Sequence, residues 1–152
     1  MTDIDLRAAT EADFEALLDL RMRALRPHLE RLGRYDPVRG RERFRRGFSS
    51  EHTRLIVADG TAVGCVSLKP IPGGLEIEHF YLEPALHGRG IGSEVLRRLL
   101  AEADTAGLPV TIGVLKQSPA ARFYRRQGFN PSHEGPFDDY FVRAPGPASA
   151  AR

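Results

Sequence analysis

One stretch, from His79 to Ser93, constrains this chain more than any other. An aromatic and aliphatic run, Phe80, Tyr81 and Leu82, is closed off by Pro84, and three glycines follow at positions 88, 90 and 92. Apolar residues then recur at Ile91, Val95, Leu96, Leu99, Leu100 and Ala103, the 3.6-residue period of a helix with one buried face. The pattern reads strand, glycine loop, helix. Glycines let such a loop turn tightly and bring its backbone close to a ligand. The first amides of the helix have no partner within it and carry the positive end of the helix dipole. The combination suits an anion, most often a phosphate.

The spacing rules out two phosphate loops. A Walker loop ends in Gly-Lys followed by Ser or Thr, and no lysine stands here. A dinucleotide fingerprint needs G-x-G-x-x-G, whereas Gly88-Arg89-Gly90-Ile91-Gly92 is G-x-G-x-G.

Turn and capping residues divide the rest of the chain. A short strand over 4–8 precedes Thr10, an N-cap with Glu11 and Asp13 favourable just after it. Phe14, Leu17, Leu18, Met22 and Leu25 make one apolar stripe of a helix expected to end near Pro27. A break over 33–37 leads to a basic helix over 39–48. Strands over 53–58 and 62–68 flank Asp59-Gly60, a strong hairpin signal. A turn over 70–74 leads to a longer strand over 75–82. Beyond the glycine loop and its helix come a strand over 109–115, a helix capped by Ser118 and stopped at Gly128, and a last strand over 137–143. The alanine- and proline-rich residues 144–152 are expected to form a flexible tail, leaving one domain over 1–143.

Charge is unevenly spread. Ten arginines against three acids between Arg21 and Arg46 give that segment +7, while the whole chain carries only +2. Such a patch suits an anionic partner or a solvated helix face. It lacks the aromatic interleaving or reading motif of a nucleic-acid binder, so none is expected. The five histidines show no metal-ligand spacing, and no metal is expected. The lone Cys65 excludes an internal disulfide and fits a reducing compartment; within Val63-Gly64-Cys65-Val66 it reads as a small core residue. No secretory signal or apolar run of membrane-spanning length is seen, so a cytoplasmic protein is expected.

Two segments carry a family resemblance. His87-Gly88-Arg89-Gly90-Ile91-Gly92, with its strand and helix, resembles the acyl-CoA loop of the GNAT N-acetyltransferase superfamily, Q/R-x-x-G-x-G/A, with histidine at the first position. About thirty residues on, Ser118-Pro119-Ala120-Ala121-Arg122-Phe123-Tyr124 through Gly128-Phe129 resembles that family's N-x-x-A-x-x-[FL]-Y-x-x-x-G-F helix, with Gln117 or Ser118 where the asparagine would be. The resemblance implies an α/β fold of the α+β type: a central mixed, mainly antiparallel sheet of six to seven strands, splayed between strands 4 and 5, with helices on both faces. It implies acetyl-CoA as cosubstrate and a primary amine of a small molecule as acceptor, attacked directly in a ternary complex. The two other readings are a protein or peptide N-acetyltransferase and a non-catalytic acyl-CoA sensor. A homodimer is also implied.

The resemblance also distributes roles. Backbone amides of His87, Gly88, Arg89, Gly90, Ile91, Gly92 and Ser93 would hold the cofactor's diphosphate. The edge of Phe80, Tyr81 and Leu82 would pair with its pantetheine arm, and an amide near Phe80 would face the acetyl oxygen. Ser118 would cap its helix and touch the cofactor. Tyr124 matches the tyrosine that protonates the leaving thiolate, although Ala120, Phe123 and Tyr124 are also a core stripe. Strand alternation puts Glu76, Glu78, Phe80 and Leu82 on one face, which makes Glu76, then Glu78, candidate bases. His79, on the other face, reads as structural. The arginine-rich segment suggests an acceptor amine that also carries a carboxylate or phosphate.

Overall fold

The computed structural model describes residues 2–147. Seven strands, β1 (Ile4–Ala8), β2 (Thr53–Ala58), β3 (Thr61–Ile71), β4 (Gly74–Leu82), β5 (Val110–Leu115), β6 (Asn130–Glu134) and β7 (Asp138–Arg143), form one sheet in the order β1-β2-β3-β4-β5-β7-β6. Four α-helices accompany them: α1 (Phe14–Arg31), α2 (Pro37–Gly47), α3 (Ile91–Ala106) and α4 (Ala120–Arg126). β4 and β5 are parallel, while β1–β2, β2–β3, β5–β7 and β6–β7 are antiparallel. This is the mixed, mainly antiparallel α+β sheet that the family resemblance implies. The β4–β5 ladder is short, registered only at Leu75, Ile77 and the residue between. β5 goes on pairing with β7 as far as Leu115.

The chain divides into two compact units, Met1–Ser67 with His79–Val95 and Leu68–Glu78 with Leu96–Arg152. In the first, Phe14, Leu17, Leu18 and Leu20 of α1 pack with Phe44 of α2, Phe48 and Cys65. The rings of Phe14, Phe44 and Phe48 lie 5.3–5.6 Å apart in one stacked, one edge-on and one tilted pair, geometries that add to their area burial. The basic helix α2 is partly neutralised from outside the arginine-rich window: Arg41 Nη1 donates to Glu15 at 2.9 Å and Arg45 Nη2 to Glu11 at 3.1 Å.

The helix expected to stop near Pro27 runs through it to Arg31. A proline removes one helix hydrogen bond, and the actual stop signal comes later. Gly33, at φ +67, donates to Glu30 O, and Arg34 N–H reaches back to Leu29 O, the two bonds of a Schellman cap. The Asp59-Gly60 hairpin forms as expected, with both residues at positive φ.

In the second unit Leu96, Leu99, Leu100 and Ala103 of α3 are buried, as are Val110, Ile112, Val114, Tyr124, Phe129 and Phe141. Arg143 grips Asp104 with two hydrogen bonds, at 2.8 and 3.1 Å, and Gly146 N–H donates to the same carboxylate. Residues 148–152 of the expected tail lie outside the described residues. Strand β6 has no counterpart among the sequence-based elements. All five of its residues are exposed, it contains Pro131, and its register shifts between Pro131 and His133. Proline is tolerated there because β6 is the sheet's last strand. Among the described residues no helix is long and apolar enough to cross a membrane.

Candidate active site

The first unit carries the end of β4 and the glycine loop. Glu83 N–H donates to Val63 O at 2.9 Å, a single 3-10 turn follows at Pro84–Leu86, and α3 opens at Ile91. The first helical bond is Glu94 N–H to Gly90 O at 3.1 Å. The amides of Ile91, Gly92 and Ser93 therefore precede the helix ladder, which is the arrangement that receives an anion. Gly88 and Gly90 stand at φ +79 and +82, where other L-residues are strained. A Cβ built on either would meet nothing within 4 Å, so these positions face open space. His87, which departs from the motif, places Nε2 3.2 Å from Leu82 O and ties the loop back to the strand.

Strand β4 carries a local irregularity just before Phe80. His79 adopts φ +50, unusual for a residue other than glycine inside a strand. Several contacts hold it there. Its ring meets the edge of Phe44 at 4.9 Å, a Cβ on Gly47 would lie 2.5 Å from its Nε2, and the Cys65 thiol donates to its carbonyl at 3.2 Å. His79 is thus a packed structural residue. Cys65 is fully buried among core residues, and burial pushes its thiol pKa up to about 12, which disfavours the thiolate. Gly64 permits the close approach of β3 to β4: a Cβ there would sit 2.3 Å from Tyr81 O.

The second unit carries the acid–base candidates. Glu76 and Glu78 both reach Lys69 of β3, so they share a face of β4, as alternation requires. Their environments differ. Glu78 forms the tight ion pair with Lys69, while Glu76 Oε1 is 3.8 Å from the ammonium. Burial, with the Glu78 charge next, raises the Glu76 pKa above the usual carboxylate value, and Lys69 opposes this. Glu78 in turn raises the Lys69 pKa. Tyr140 joins this group: burial, then Asp138, Glu76 and Glu78, hold its phenol pKa above the usual value. Its ring stacks on His133 at 4.6 Å and covers Gly113, where a Cβ would lie 2.9 Å away. It also lines a cleft of about 490 Å³ with Arg125, His133, Glu134 and Asp139.

Tyr124 lies on α4 and is buried, with Phe123 and Phe129 edge-on at 5.0 and 5.7 Å. Ser118 Oγ accepts from Ala120 N–H at 3.2 Å, the capping contact expected of it. Gln117 stands at φ +66, a conformation asparagine adopts more readily than glutamine. Sequence reasoning missed Lys69 and Tyr140. Lys69 was within reach of it, since the turn over 70–74 folds Lys69 back opposite Glu76 and Glu78. Tyr140 was not, because its contacts come from chain segments distant in sequence.

Comparison with known proteins gives these features a family. The model of the acetyltransferase (GNAT) family matches residues 14–129. An aminoalkylphosphonate N-acetyltransferase of Salmonella typhimurium is 30% identical over 144 residues, covering 85% of this chain and 86% of that protein. An IAA acetyltransferase of Azospirillum brasilense is 35% identical over 94 residues, but the match spans only 57% of this chain and 60% of that protein's length. A crystal structure of the PaiA N-acetyltransferase from Thermoplasma acidophilum in complex with coenzyme A superposes with a TM-score of 0.76 at 20% identity, covering 93% of this chain and 99% of that one. By fold, by its two sequence motifs and by this match over most of its length, the chain belongs to the acetyltransferase (GNAT) family.

Proposed function

We propose that this protein is a cytoplasmic acetyl-CoA-dependent N-acetyltransferase whose acceptor is a small primary amine that also bears an anionic group. The observation carrying the reading is the loop at Gly88 and Gly90, whose positive-φ glycines face open space ahead of the amides of Ile91, Gly92 and Ser93. Those amides would hold the diphosphate. The edge of Phe80, Tyr81 and Leu82 would take the pantetheine arm as an added strand. The similarity to an aminoalkylphosphonate N-acetyltransferase, over 85% of this chain and 86% of that protein, supports the anionic acceptor. A homodimer belongs to the same reading and is checked by hydrodynamic mass.

In this mechanism the acceptor arrives as an ammonium. Glu76 removes a proton, directly or through water, and its raised pKa makes it a better base near neutral pH. The free amine attacks the thioester carbonyl and the C–N bond forms. A backbone amide near Phe80 stabilises the oxyanion. The C–S bond then breaks, and Tyr124 protonates the departing thiolate; the amide nitrogen's remaining extra proton passes through water to restore Tyr124, and Glu76 releases its proton to solvent. Glu78 is already engaged by the Lys69 ammonium.

The test is steady-state kinetics with acetyl-CoA and a panel of amines. Glu76→Gln and Tyr124→Phe should each lower kcat while coenzyme A affinity stays at the wild-type value. Unchanged kcat in Glu76→Gln rejects that residue as base. Acetylation of polycationic amines alone rejects the anionic acceptor.

A further inference from the structure

In the second unit, pairing and alternation set Glu76 and Glu78 of β4, Thr111 and Gly113 of β5, and Tyr140 of β7 on one face of the sheet. Their neighbours Ile77, Ile112, Val114 and Phe141 are buried on the other face. β7 and β4 lie two strand spacings apart, about 9.5 Å, so a β7 side chain reaches β4 only by crossing β5. Gly113 opens that path. It is exposed, it stands opposite Tyr140 in the ladder, and a Cβ on it would lie 2.9 Å from the tyrosine ring. The ring is held elsewhere too. A Cβ on Gly135 would lie 3.0 Å from its opposite edge, and His133 stacks on one face with the ring planes 9° apart. The charges of Glu76 and Glu78 both act on the phenol placed in this way, and Asp138 adds a third.

Among the described residues neither the Tyr140 hydroxyl nor the Glu76 carboxylate has a hydrogen bond, and both side chains stay partly accessible. Nearby carboxylates are engaged: Glu78 by Lys69, and Glu134 and Asp139 by Lys116. Glu76 has Lys69 only at 3.8 Å. Packing accounts for the ring, because an aromatic laid over a glycine covers exposed backbone, but phenylalanine would do the same. It does not account for the hydroxyl. Burial and the neighbouring acids keep this phenol protonated, so it presents a neutral oxygen that can accept, on the same face as a carboxylate that can only accept. Two acceptors beside an exposed glycine suit one ligand with a positive charge and at least two donors. The ammonium of an acceptor amine is such a ligand.

We infer that Tyr140 is a second holder of the acceptor's ammonium, its hydroxyl oxygen accepting one N–H while Glu76 accepts another. The inference rests on the reading of Glu76 as base and adds the residue that orients the amine for it. Glu76 takes the proton from nitrogen. Tyr140 keeps its own proton and transfers none, so the neutral amine stays tethered to its oxygen through a remaining N–H.

The experiment compares wild type, Tyr140→Phe and Glu76→Gln, with 2-aminoethylphosphonate and n-propylamine as acceptors on the pH plateau of kcat/KM. Loss of a hydrogen bond to an ammonium should raise KM for both amines about tenfold in Tyr140→Phe. The kcat, the KM for acetyl-CoA and the Tm should stay at their wild-type values. N,N-Dimethylpropylamine, whose ammonium has a single N–H, should inhibit wild type and Tyr140→Phe with the same constant. An unchanged amine KM in Tyr140→Phe overturns the inference. So does a lower Tm with an equal rise in KM for acetyl-CoA, which makes the hydroxyl structural. An acid limb that moves upward in Tyr140→Phe while the plateau KM is unchanged means that the hydroxyl donates to Glu76, and also overturns it. In all three cases a loss of kcat in Glu76→Gln leaves the base reading standing. If Glu76→Gln keeps the wild-type kcat, or wild type acetylates neither amine, that reading fails and this inference with it.

Discussion

Replacing Gly64 by alanine tests how closely β3 approaches the edge of β4. A Cβ at this position would lie 2.3 Å from Tyr81 O and 2.9 Å from Leu82 Cδ2. The nearer obstacle is a main-chain oxygen within a paired strand, so it cannot swing aside as a side-chain tip would. Restoring an ordinary contact requires a relative movement of about 1 Å, and overpacking of this kind costs about 1–3 kcal/mol. Gly64 is not at positive φ, so alanine recovers about 0.4–1 kcal/mol through a less flexible unfolded chain. The net loss then centres on about 1.3 kcal/mol, or a fall in Tm of about 3–5 °C for a chain of this size. Function should suffer more. Tyr81 and Leu82 form the edge proposed for the pantetheine arm, and a displacement of about 1 Å there predicts about a 100-fold loss of kcat/KM. Differential scanning fluorimetry and initial rates provide the assay, with Thr61→Ala, exposed on the same strand, as control. A Gly64→Ala protein that melts with wild type and retains its kcat/KM would refute this account of the strand contact.

Lys69→Met removes the cation that favours the ionised form of Glu76, while Glu78 and Tyr140 remain beside it. Glu76 should then stay protonated to higher pH, and the acid limb of the kcat/KM–pH profile should move upward; a downward move contradicts the assignment. Asp104 has its pKa lowered chiefly by its hydrogen bond to Arg143. A lowered folded pKa means stability that is present above the unfolded pKa and is lost as pH falls through the folded one. Arg143→Met should therefore lower Tm at neutral pH by more than it does in acid, with about 1.5–3 kcal/mol at stake, read by melts across a pH series. Cys65, with its thiol pKa near 12 and no exposure, should resist iodoacetamide at pH 8 until the protein unfolds. Rapid alkylation of the native protein by mass spectrometry would contradict its place in the core.

Legibility in the sequence followed the strength of local signals. The α3 stripe from Ile91 to Ala103 is buried throughout, because a 3.6-residue apolar period leaves a helix little alternative. Asp59-Gly60 formed its hairpin because its φ requirement is met by those two residues alone. Pro27 misled the reading of α1: its missing amide weakens one helical bond, while Gly33 supplies a whole cap. Strand β6 was invisible because Asn-Pro-Ser-His-Glu has no apolar alternation and is held by β7 and by Lys116, which donates to Glu134 and Asp139. In the candidate site, residue types and loop geometry could be read, since glycines and strand alternation are local. The difference between Glu76 and Glu78 could not, because the position of Lys69 in three dimensions sets it.

The claim beneath the functional account is that main-chain amides after Gly90 grip a diphosphate. Isothermal titration of coenzyme A and of pantetheine, which lacks the diphosphate, into wild type and Gly90→Ala tests it most directly. Wild type should bind coenzyme A, Gly90→Ala should bind it about tenfold or more weakly, and pantetheine affinity should be the same for both. Absence of coenzyme A binding, or equal coenzyme A affinity in the two proteins, would contradict it.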